Sequence, residues 1–408
     1  MRVAYLLPDP GIPVGGVKGA SVHVQEVCRA LQAKDCDVLL IAARAAGEPP
    51  AGVKLVLLDP GAYARGPEGE PGRIRAAEAF MLRAEPLVRG FRPDVIYERL
   101  SLFAGDGGTL AARLGVPRLV EVNAPVAAEH ARHFGLTLRS MAETLECAAL
   151  AGAVAMAVSP PLAAWALARG ASRAVVVPNG ADVERFDPAK RRASAASLRA
   201  SLGFERAEVV GFAGSLKPWH GVEVLLDAAR HLAVGRPSLR VLIVGDGPRR
   251  AALEAKAAGV LAGKVHFTGA VPSTVVPAYV GAFDIATAPY LPDAGEDFYF
   301  SPLKVVEAMA AARPIVASRF PSVTEMLGGT GVLVEPGDSV ALSAALRELL
   351  DDRKVARELG EAARRRACSG FTWSAVADRI LAMAAETTAP CASPAGALRR
   401  SQAETVLR

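Results

Sequence analysis

The residues best suited to chemistry in this chain lie in one segment of its C-terminal third, where a polar and aromatic run leads into a helical pattern. Lys304 and Glu307 lie three positions apart, close to one helical turn, so both side chains can face one ligand. The first turn of a helix presents free backbone N–H groups and the positive end of the helix dipole, which favour an anion. With Tyr299, Ser301 and Leu303 beside them, these residues predict a site for an anion that carries hydroxyl groups.

A second polar loop follows an apolar run and reads Gly-Ser-Leu-Lys-Pro-Trp-His-Gly over residues 214–221. Glycine lets the backbone approach a phosphate, and hydroxyl, lysine and imidazole groups can hydrogen-bond one. The loop supplies four such residues: Gly214, Ser215, Lys217 and His220. Lys304 would lie at another strand end of the same sheet, so two lysines could neutralise a diphosphate without a metal ion. The structural alternative is a solvated loop whose Trp219 packs on its own helix.

Three further glycine-containing turns lie beside predicted strands. They contain Gly19, Gly245, and Gly269 with Val271 two residues later. Each can be an ordinary turn, but at the carboxyl side of a parallel sheet such turns become candidate walls of a nucleotide pocket. The spacing excludes both a Walker loop and a Gly-x-Gly-x-x-Gly dinucleotide fingerprint.

The histidines and the carboxylate near residue 130 do not predict a metal site. Glu129, His130 and His133 lie close together, but their order is not His-Glu-x-x-His and no other ligand cluster accompanies them. We therefore expect Glu129 and His130 to be surface residues or to contact an acceptor molecule. We expect no bound metal and no cofactor.

The elements that must position these residues come in two series, in which β-branched or leucine-rich runs alternate with alanine-rich helical patterns. The predicted strands are 3–7, 38–42, 53–58, 95–98, 118–122, 154–158 and 174–177, then 209–213, 240–244, 264–268, 285–288, 314–317 and 331–334. The alternation predicts an α/β fold of two doubly wound, Rossmann-like lobes facing across a cleft. We expect four parts: a first lobe over residues 1–180, a second over 181–372, a final helix over 373–388, and a disordered tail over 389–408.

Composition narrows the class of protein. At 408 residues the chain is too long for one hydrophobic core. Its 47 basic and 42 acidic residues give a net charge of only +5, so we expect no nucleic acid partner and at most peripheral membrane contact. The five cysteines form no Cys-x-x-Cys pair and the N-terminal apolar run is too short for a signal peptide, which favours the cytoplasm. The uncharged stretch 147–168 is broken by two prolines and predicts a buried strand and a new helix.

Five sequence blocks, in this order, carry a resemblance to a known family. They are the glycine loop with Val22-His23-Val24, Val177-Pro178-Asn179-Gly180-Ala181-Asp182, Val244-Gly245-Asp246-Gly247-Pro248, Phe267-Thr268-Gly269, and residues 303–314 with Glu307-Ala308-Met309-Ala310. With them the chain resembles the retaining, glycogen-synthase-like family-four glycosyltransferases of the GT-B fold. The resemblance covers roughly nine-tenths of the chain, up to the region of Trp373.

The resemblance implies a reaction and an arrangement of residues. It implies transfer of a sugar from a nucleotide diphosphate donor, with UDP favoured over GDP, to a hydroxyl acceptor, with retention and without a metal. Glu307 would hydrogen-bond the ribose, the backbone at Leu303 and Lys304 would meet the diphosphate, and Gly269 to Val271 would border the base. The glycine loop near Gly19 would close on the donor from the acceptor-side first lobe, to which the final helix would return.

This sequence also departs from the usual pattern of that family. Tyr299 stands eight positions before Glu307, where the family has a first glutamate, and the nearest acids are Asp297 and Glu296. Asn123 stands where the family often has a histidine in the first lobe. A subset of the family resembles this chain, with Lys-Pro-Trp-His-Gly and Ser-Pro-Leu-Lys in the corresponding blocks.

The family's phosphate clamp of arginine and lysine is also replaced here. Ser215 and His220 occupy those two places, and Lys217 and Lys304 are the natural compensations. Two alternatives stay open at this point: a nucleotide-sugar epimerase or hydrolase on the same fold, and a catalytically silent partner subunit that binds a sugar nucleotide. An NAD-dependent dehydrogenase is disfavoured because the dinucleotide fingerprint is missing. The oligomeric state stays open.

Overall fold

Two parallel sheets form the framework of the computed structural model, which describes residues 1–61, 66–292 and 299–388. The first sheet holds β1 (Arg2–Leu7), β2 (Asp37–Ala42), β3 (Lys54–Leu57), β4 (Val95–Arg99), β5 (Arg118–Val122), β6 (Val154–Ala157) and β7 (Arg173–Val176), in the order β3-β2-β1-β4-β5-β6-β7. The second holds β8 (Glu208–Ala213), β9 (Leu239–Val244), β10 (Val265–Phe267), β11 (Ile285–Ala288), β12 (Ile315–Ser318) and β13 (Val332–Val334), in the order β10-β9-β8-β11-β12-β13. Every predicted strand is present, within one or two residues of its predicted bounds.

Helices connect the strands and cover both faces of each sheet, as parallel pairing requires. In the first lobe they are α1 (Gly19–Gln32), α2 (Glu70–Phe91), α3 (Gly107–Leu114), α4 (Val126–Phe134), α5 (Arg139–Leu150) and α6 (Pro160–Ala168). They continue with α7 (Pro188–Ser201), α8 (Val222–Ala233), α9 (Arg250–Ala257), α10 (Val276–Gly281), α11 (Leu303–Ala310), α12 (Pro321–Leu327), α13 (Ser339–Asp351), α14 (Arg353–Gly370) and α15 (Trp373–Thr388). The central strands β4, β5 and β6 are buried along their whole length; β6 is wholly apolar, whereas β4 and β5 also bury charged side chains.

The last helix, α15, returns from the second lobe and packs on the first, as the resemblance implies. Trp373, Val376 and Ile380 lie in the same apolar cluster as Val24 and Leu31 of α1. The hydroxyl oxygen of Thr372 accepts a hydrogen bond from the backbone N–H of Ala375 at 3.0 Å and so caps the N-terminus of this helix.

The chain crosses between the lobes at two points that lie against each other. Ala181 forms a parallel bridge with Thr372. A Cβ added at Gly180 would lie 2.5 Å from the carbonyl carbon of Thr372 and from the backbone nitrogen of Trp373, so only glycine fits there. The two crossings therefore behave as one connection between the lobes.

The polar segment after residue 182 contains α7, whose N-cap Asp187 accepts hydrogen bonds from the N–H groups of Ala189 and Lys190. Helix α1, which follows the glycine loop, begins at Gly19. The expected tail over 389–408 and the acids Glu296 and Asp297 lie outside the described residues. Within the described ranges, no helix has the length and apolar character needed to cross a membrane.

Replacing Ile380 by alanine should lower the free energy of unfolding of the first lobe by about 2–5 kcal/mol, because it opens a cavity in a close-packed core. Ile380 is 0% exposed, whereas Leu82 on α2 is 64% exposed and provides a matched control. Leu82→Ala should change stability by less than about 0.5 kcal/mol. Urea unfolding followed by circular dichroism measures both values, and equal losses would contradict the docking of α15.

Candidate active site between the two lobes

Loops at the carboxyl ends of β8 and β9 meet the start of α11. Gly214 has φ 147° and Gly245 has φ 133°, backbone conformations that favour glycine. A Cβ at Gly214 would lie 2.9 Å from Cε of Lys304, and one at Gly245 would lie 2.0 Å from the carbonyl oxygen of Gly214. Because Gly214 and Gly245 have no side chains, these loops can lie close to Lys304. Three of the residues predicted to bind a donor are therefore neighbours.

The ammonium group of Lys304 is buried between aromatic rings. Its Nζ lies 4.1 Å from the ring centroid of Phe212 and 4.7 Å from that of Tyr290. Within the described part of the chain this Nζ has no hydrogen-bond partner. Burial lowers the pKa of Lys304 well below its ordinary value, and Glu307 opposes that shift. The start of α11 therefore holds a lysine amine whose positive charge is disfavoured until an anion binds beside it.

Glu307, one turn further along α11, also titrates abnormally. Burial raises the pKa of its carboxyl group to about 7, while Arg185 and Lys304 oppose the rise and Glu26 of α1 adds to it. At neutral pH this side chain is close to half protonated, so a ligand that hydrogen-bonds the carboxylate shifts it to the charged form. A pair of sugar hydroxyls is such a ligand.

His220 differs electrostatically from the lysine for which it stands in. Its Nδ1 donates to the backbone carbonyl oxygen of Ser215, and its ring lies 5.5 Å from that of Tyr290. Burial, helped by the charge of Lys304, lowers the pKa of His220 to about 2. The imidazole is therefore neutral at pH 7 and shapes the loop, and positive charge for a phosphate must come from Lys304 and Lys217.

The loop of Lys217 contacts the first lobe. The ring of Trp219 lies 4.5 Å from that of His133 on α4, with 32° between the planes, and the Nζ of Lys217 lies 4.7 Å from the Trp219 centroid. Burial lowers the pKa of Lys217, opposed by Glu129 across the cleft; burial raises the pKa of Glu129. The alternative in which Trp219 packs on its own helix is therefore wrong: this ring bridges the lobes.

The remaining acceptor-side residues line the first lobe. Nη1 of Arg73 lies 3.4 Å from Nδ1 of His130, whose pKa is lowered to about 4 by burial and by Arg73. Nδ2 of Asn123 donates to Oε1 of Glu121, so this amide is partly engaged within the lobe. Asn123, just after β5, and His130, on α4, are both half-buried.

Sequence reasoning missed a buried charged group with several side-chain partners, Glu121 near the end of β5. Its carboxylate accepts hydrogen bonds from the hydroxyl of Tyr5 at 2.6 Å and from Nη1 of Arg99, and Nε2 of His23 lies 2.9 Å from Oε1. Burial would raise the pKa of Glu121, but His23 and Arg99 hold it well below its ordinary range. The only signal in the sequence was one acid inside an apolar strand.

The other residues predicted to bind the donor lie at several places in the structure. Gly19 and Leu303 meet across the lobes, since a Cβ at Gly19 would lie 3.5 Å from Cδ1 of Leu303. Gly269 pairs with Gly245 in an antiparallel bridge, Val271 packs against the second lobe's core, and Ser215 is exposed. Tyr299 is 6% exposed and belongs to an apolar cluster of the first lobe, so its predicted contact with the donor stays a prediction.

Among the described residues, no group of three or more His, Cys, Asp or Glu side chains could hold a metal ion.

Two family models match this chain, one in each lobe. Residues 17–185 match the model described as Glycosyltransferase Family 4, and residues 207–352 match the one described as Glycosyl transferases group 1. Each lobe is therefore similar to a glycosyltransferase domain.

Curated relatives are similar at moderate identity. The D-inositol 3-phosphate glycosyltransferase of Geodermatophilus obscurus is 33% identical over 58% of this chain and 52% of that protein. The one of Salinispora arenicola is 28% identical over 94% of this chain and 90% of that protein. The MMP alpha-(1->4)-mannosyltransferase of Mycolicibacterium hassiacum is 27% identical over 75% of this chain and 74% of that protein. In its match to the Geodermatophilus protein, the chain spans about half the length of its relative.

Solved structures share the fold over almost the whole chain. HepE of Anabaena in complex with UDP superposes with a TM-score of 0.71 at 20% identity, covering 95% of this chain and 100% of that one. Sucrose-phosphate synthase of Thermosynechococcus elongatus gives 0.76 at 21% identity, covering 95% and 99%. The glycosyltransferase WaaG gives 0.70 at 16% identity, covering 95% and 100%. The predicted fold class, two Rossmann-like lobes of the GT-B type, is confirmed.

Replacing Glu121 by glutamine should lower the free energy of unfolding by about 3–5 kcal/mol at pH 7, because it leaves the buried charge of Arg99 without its partner. The pKa of Glu121 is depressed in the folded state, so its stabilisation is complete above the unfolded pKa of about 4.3 and is lost as the pH falls below it. The gap between wild type and variant should therefore shrink on acidification. Urea titrations from pH 3 to pH 8 measure it, and most of the change should occur below about pH 4.3.

The matched control is Glu143→Gln, which removes an exposed ion pair with Arg139 at 2.8 Å. It should cost less than about 1 kcal/mol at any pH. A Glu121→Gln protein as stable as this control would contradict the structural role of the buried carboxylate.

Proposed function

We propose that this protein is a retaining glycosyltransferase that moves a sugar from a nucleotide diphosphate donor to a hydroxyl acceptor. The observation that carries the proposal is the buried Nζ of Lys304, which has no hydrogen-bond partner in the described chain and lies at the start of α11 beside Gly214. A diphosphate supplies the missing negative charge, and free N–H groups in the first turn of the helix can hydrogen-bond it. The glycosyltransferase domains of both lobes support this reading.

Charge stabilisation is the main catalytic contribution that these residues can make. As the bond to the sugar breaks, negative charge grows on the leaving diphosphate, and groups fixed in advance near that charge lower the barrier. Lys304, Lys217 and the N–H groups of α11 can do this without a metal. We propose a front-face route in which an oxygen of the leaving phosphate accepts the proton of the attacking hydroxyl.

Glu307 and the turn at Gly269 define the proposed nucleoside half of the site. The carboxylate of Glu307 accepts hydrogen bonds from ribose hydroxyls, and Gly269 to Val271 border the base. We favour a UDP-sugar over a GDP-sugar, which agrees with the UDP and UDP-glucose complexes of HepE from Anabaena. A thermal-shift panel of uridine, guanosine, adenosine and thymidine diphosphate sugars identifies the donor, and UDP-sugars should give the largest shift.

The acceptor side of the proposal lies in the first lobe. Glu129 of α4 interacts electrostatically with Lys217, and His130 lies beside Arg73 on the same lobe; a small hydroxylated acceptor would bind near these residues. The domain matches do not favour an epimerase, a hydrolase or a silent binding subunit. A cytoplasmic location is part of the proposal, and all four cysteines in the described chain are free thiols.

Lys304→Ala should lower kcat/KM for sugar transfer by about 30- to 1000-fold, or about 2–4 kcal/mol, by analogy with loss of one oxyanion-stabilising donor. The control is Lys354→Ala, whose side chain is 77% exposed on α14. A coupled assay for nucleoside diphosphate release measures both. Near-normal turnover by Lys304→Ala would contradict the assigned role.

The preference for ribose over dideoxyribose should rise with pH. Glu307 has a pKa raised to about 7, so its carboxylate is present above that pH and is protonated below it. Hydrogen bonds to a charged acceptor are stronger by about 1 kcal/mol, so the affinity ratio of UDP to 2′,3′-dideoxyuridine diphosphate should increase about fivefold from pH 6 to pH 8. Calorimetric titration measures this ratio. Because both ligands carry the same diphosphate, any pH effect of Lys304 on diphosphate binding cancels from the ratio. In Glu307→Gln it should not vary with pH; a pH-independent ratio in the wild type would contradict the assignment.

A further inference from the structure

The segment that leads into α11 belongs to the second lobe but is fastened to the first. The hydroxyl of Ser159, after β6, donates to the carbonyl oxygen of Tyr299 at 2.7 Å. The backbone N–H of Asn179 donates to Oγ of Ser301 at 2.9 Å, and its Nδ2 donates to the Ser301 carbonyl oxygen at 2.6 Å. Two hydrogen bonds from one residue fix both the position and the direction of the chain just before α11.

The orientation of Asn179 is itself fixed from the first lobe. Because Nδ2 faces the carbonyl of Ser301, Oδ1 points the opposite way, and it lies 2.7 Å from Nδ1 of His23 on α1. Nε2 of His23 lies 2.9 Å from Oε1 of Glu121, and its ring meets that of Trp373 edge to face at 5.3 Å. Asn179, His23 and Glu121 are 9%, 4% and 1% exposed, so water does not compete for these contacts.

We infer that His23 and Asn179 are positioning residues that hold the first turn of α11, and Lys304 with it, at a fixed distance from the first lobe. The inference rests on the proposed function, in which α11 binds the donor and the first lobe binds the acceptor. Both residues act through Ser301. A displacement of about 1 Å between reacting groups can cost about 100-fold in rate. Contacts that hold the donor-binding helix α11 at a fixed position relative to the first lobe should therefore affect turnover.

Donor binding should depend much less on these contacts, because the Ser301 hydroxyl, predicted from the sequence to lie at the anion site, is buried against Asn179. Val305, Val306 and Met309 pack α11 into the core of the second lobe, which also carries Gly214 and Gly245. The nucleoside diphosphate therefore contacts groups that stay together when the link to the first lobe is cut. A merely structural role of Asn179 would instead lower stability and impair binding and turnover together.

The test compares Asn179→Ala and Ser301→Ala with Ser301→Thr, which keeps the hydroxyl. The matched control is Ser172→Ala, because the Ser172 hydroxyl donates to the Gly152 carbonyl oxygen at 3.0 Å within the first lobe. Both alanine variants near α11 should lose about 10- to 100-fold in kcat for transfer, while the Kd for UDP changes less than about threefold. Ser301→Thr should recover most of the loss, and Ser172→Ala should behave as wild type. A kcat within twofold of wild type in both alanine variants, or equal losses in kcat and UDP affinity, would overturn the inference.

Hydrogen exchange tests the positioning without any activity. Amides of residues 303–306 should exchange about tenfold faster in Asn179→Ala and Ser301→Ala than in wild type, because the first turn of α11 loses its anchor. Exchange in Ser172→Ala should be unchanged. Wild-type protein that transfers no sugar would refute the proposed function alone, whereas unchanged exchange at α11 in both variants would refute the positioning role alone.

Discussion

The site depends on the burial of one ammonium group, that of Lys304. Removing a cation from water costs several kcal/mol unless an opposite charge replaces the lost hydration. The faces of Phe212 and Tyr290 return part of that cost through cation–π attraction, at about 0.5–2 kcal/mol each. Gly214 contributes by having no side chain, since a Cβ there would lie 3.0 Å from Nζ. The free protein thus contains a site already shaped for an anion, which an anionic ligand completes.

The first lobe stabilises this arrangement from the other side of the cleft. The carboxylate of Glu121 and its donors Tyr5 and Arg99 join β1, β4 and β5 below α1. His23 and Asn179 extend this set of contacts to the chain before α11. A second contact, between the rings of Trp219 and His133, joins a loop of the second lobe to α4 of the first. The two lobes are therefore joined at more than one place.

Much of the fold could be predicted from the sequence because buried parallel strands are continuous apolar runs separated by helical patterns. The site was predictable where its residues are close together in the sequence, as are Lys304 and Glu307 on one helix and the glycines that follow strands. Contacts between distant segments were not predictable. Trp219 has His133 as a partner 86 positions earlier in the chain, and Glu121 gathers its donors from three other elements. The neutral state of His220 depends on burial, which its neighbours in sequence do not reveal.

A crystal structure with a bound UDP-sugar tests the central claim most directly. The account predicts a diphosphate oxygen within about 3 Å of the Nζ of Lys304 and at the first N–H groups of α11, with ribose hydroxyls on the carboxylate of Glu307. A diphosphate bound elsewhere in the cleft, with the Nζ of Lys304 still without an anion between Phe212 and Tyr290, would contradict it.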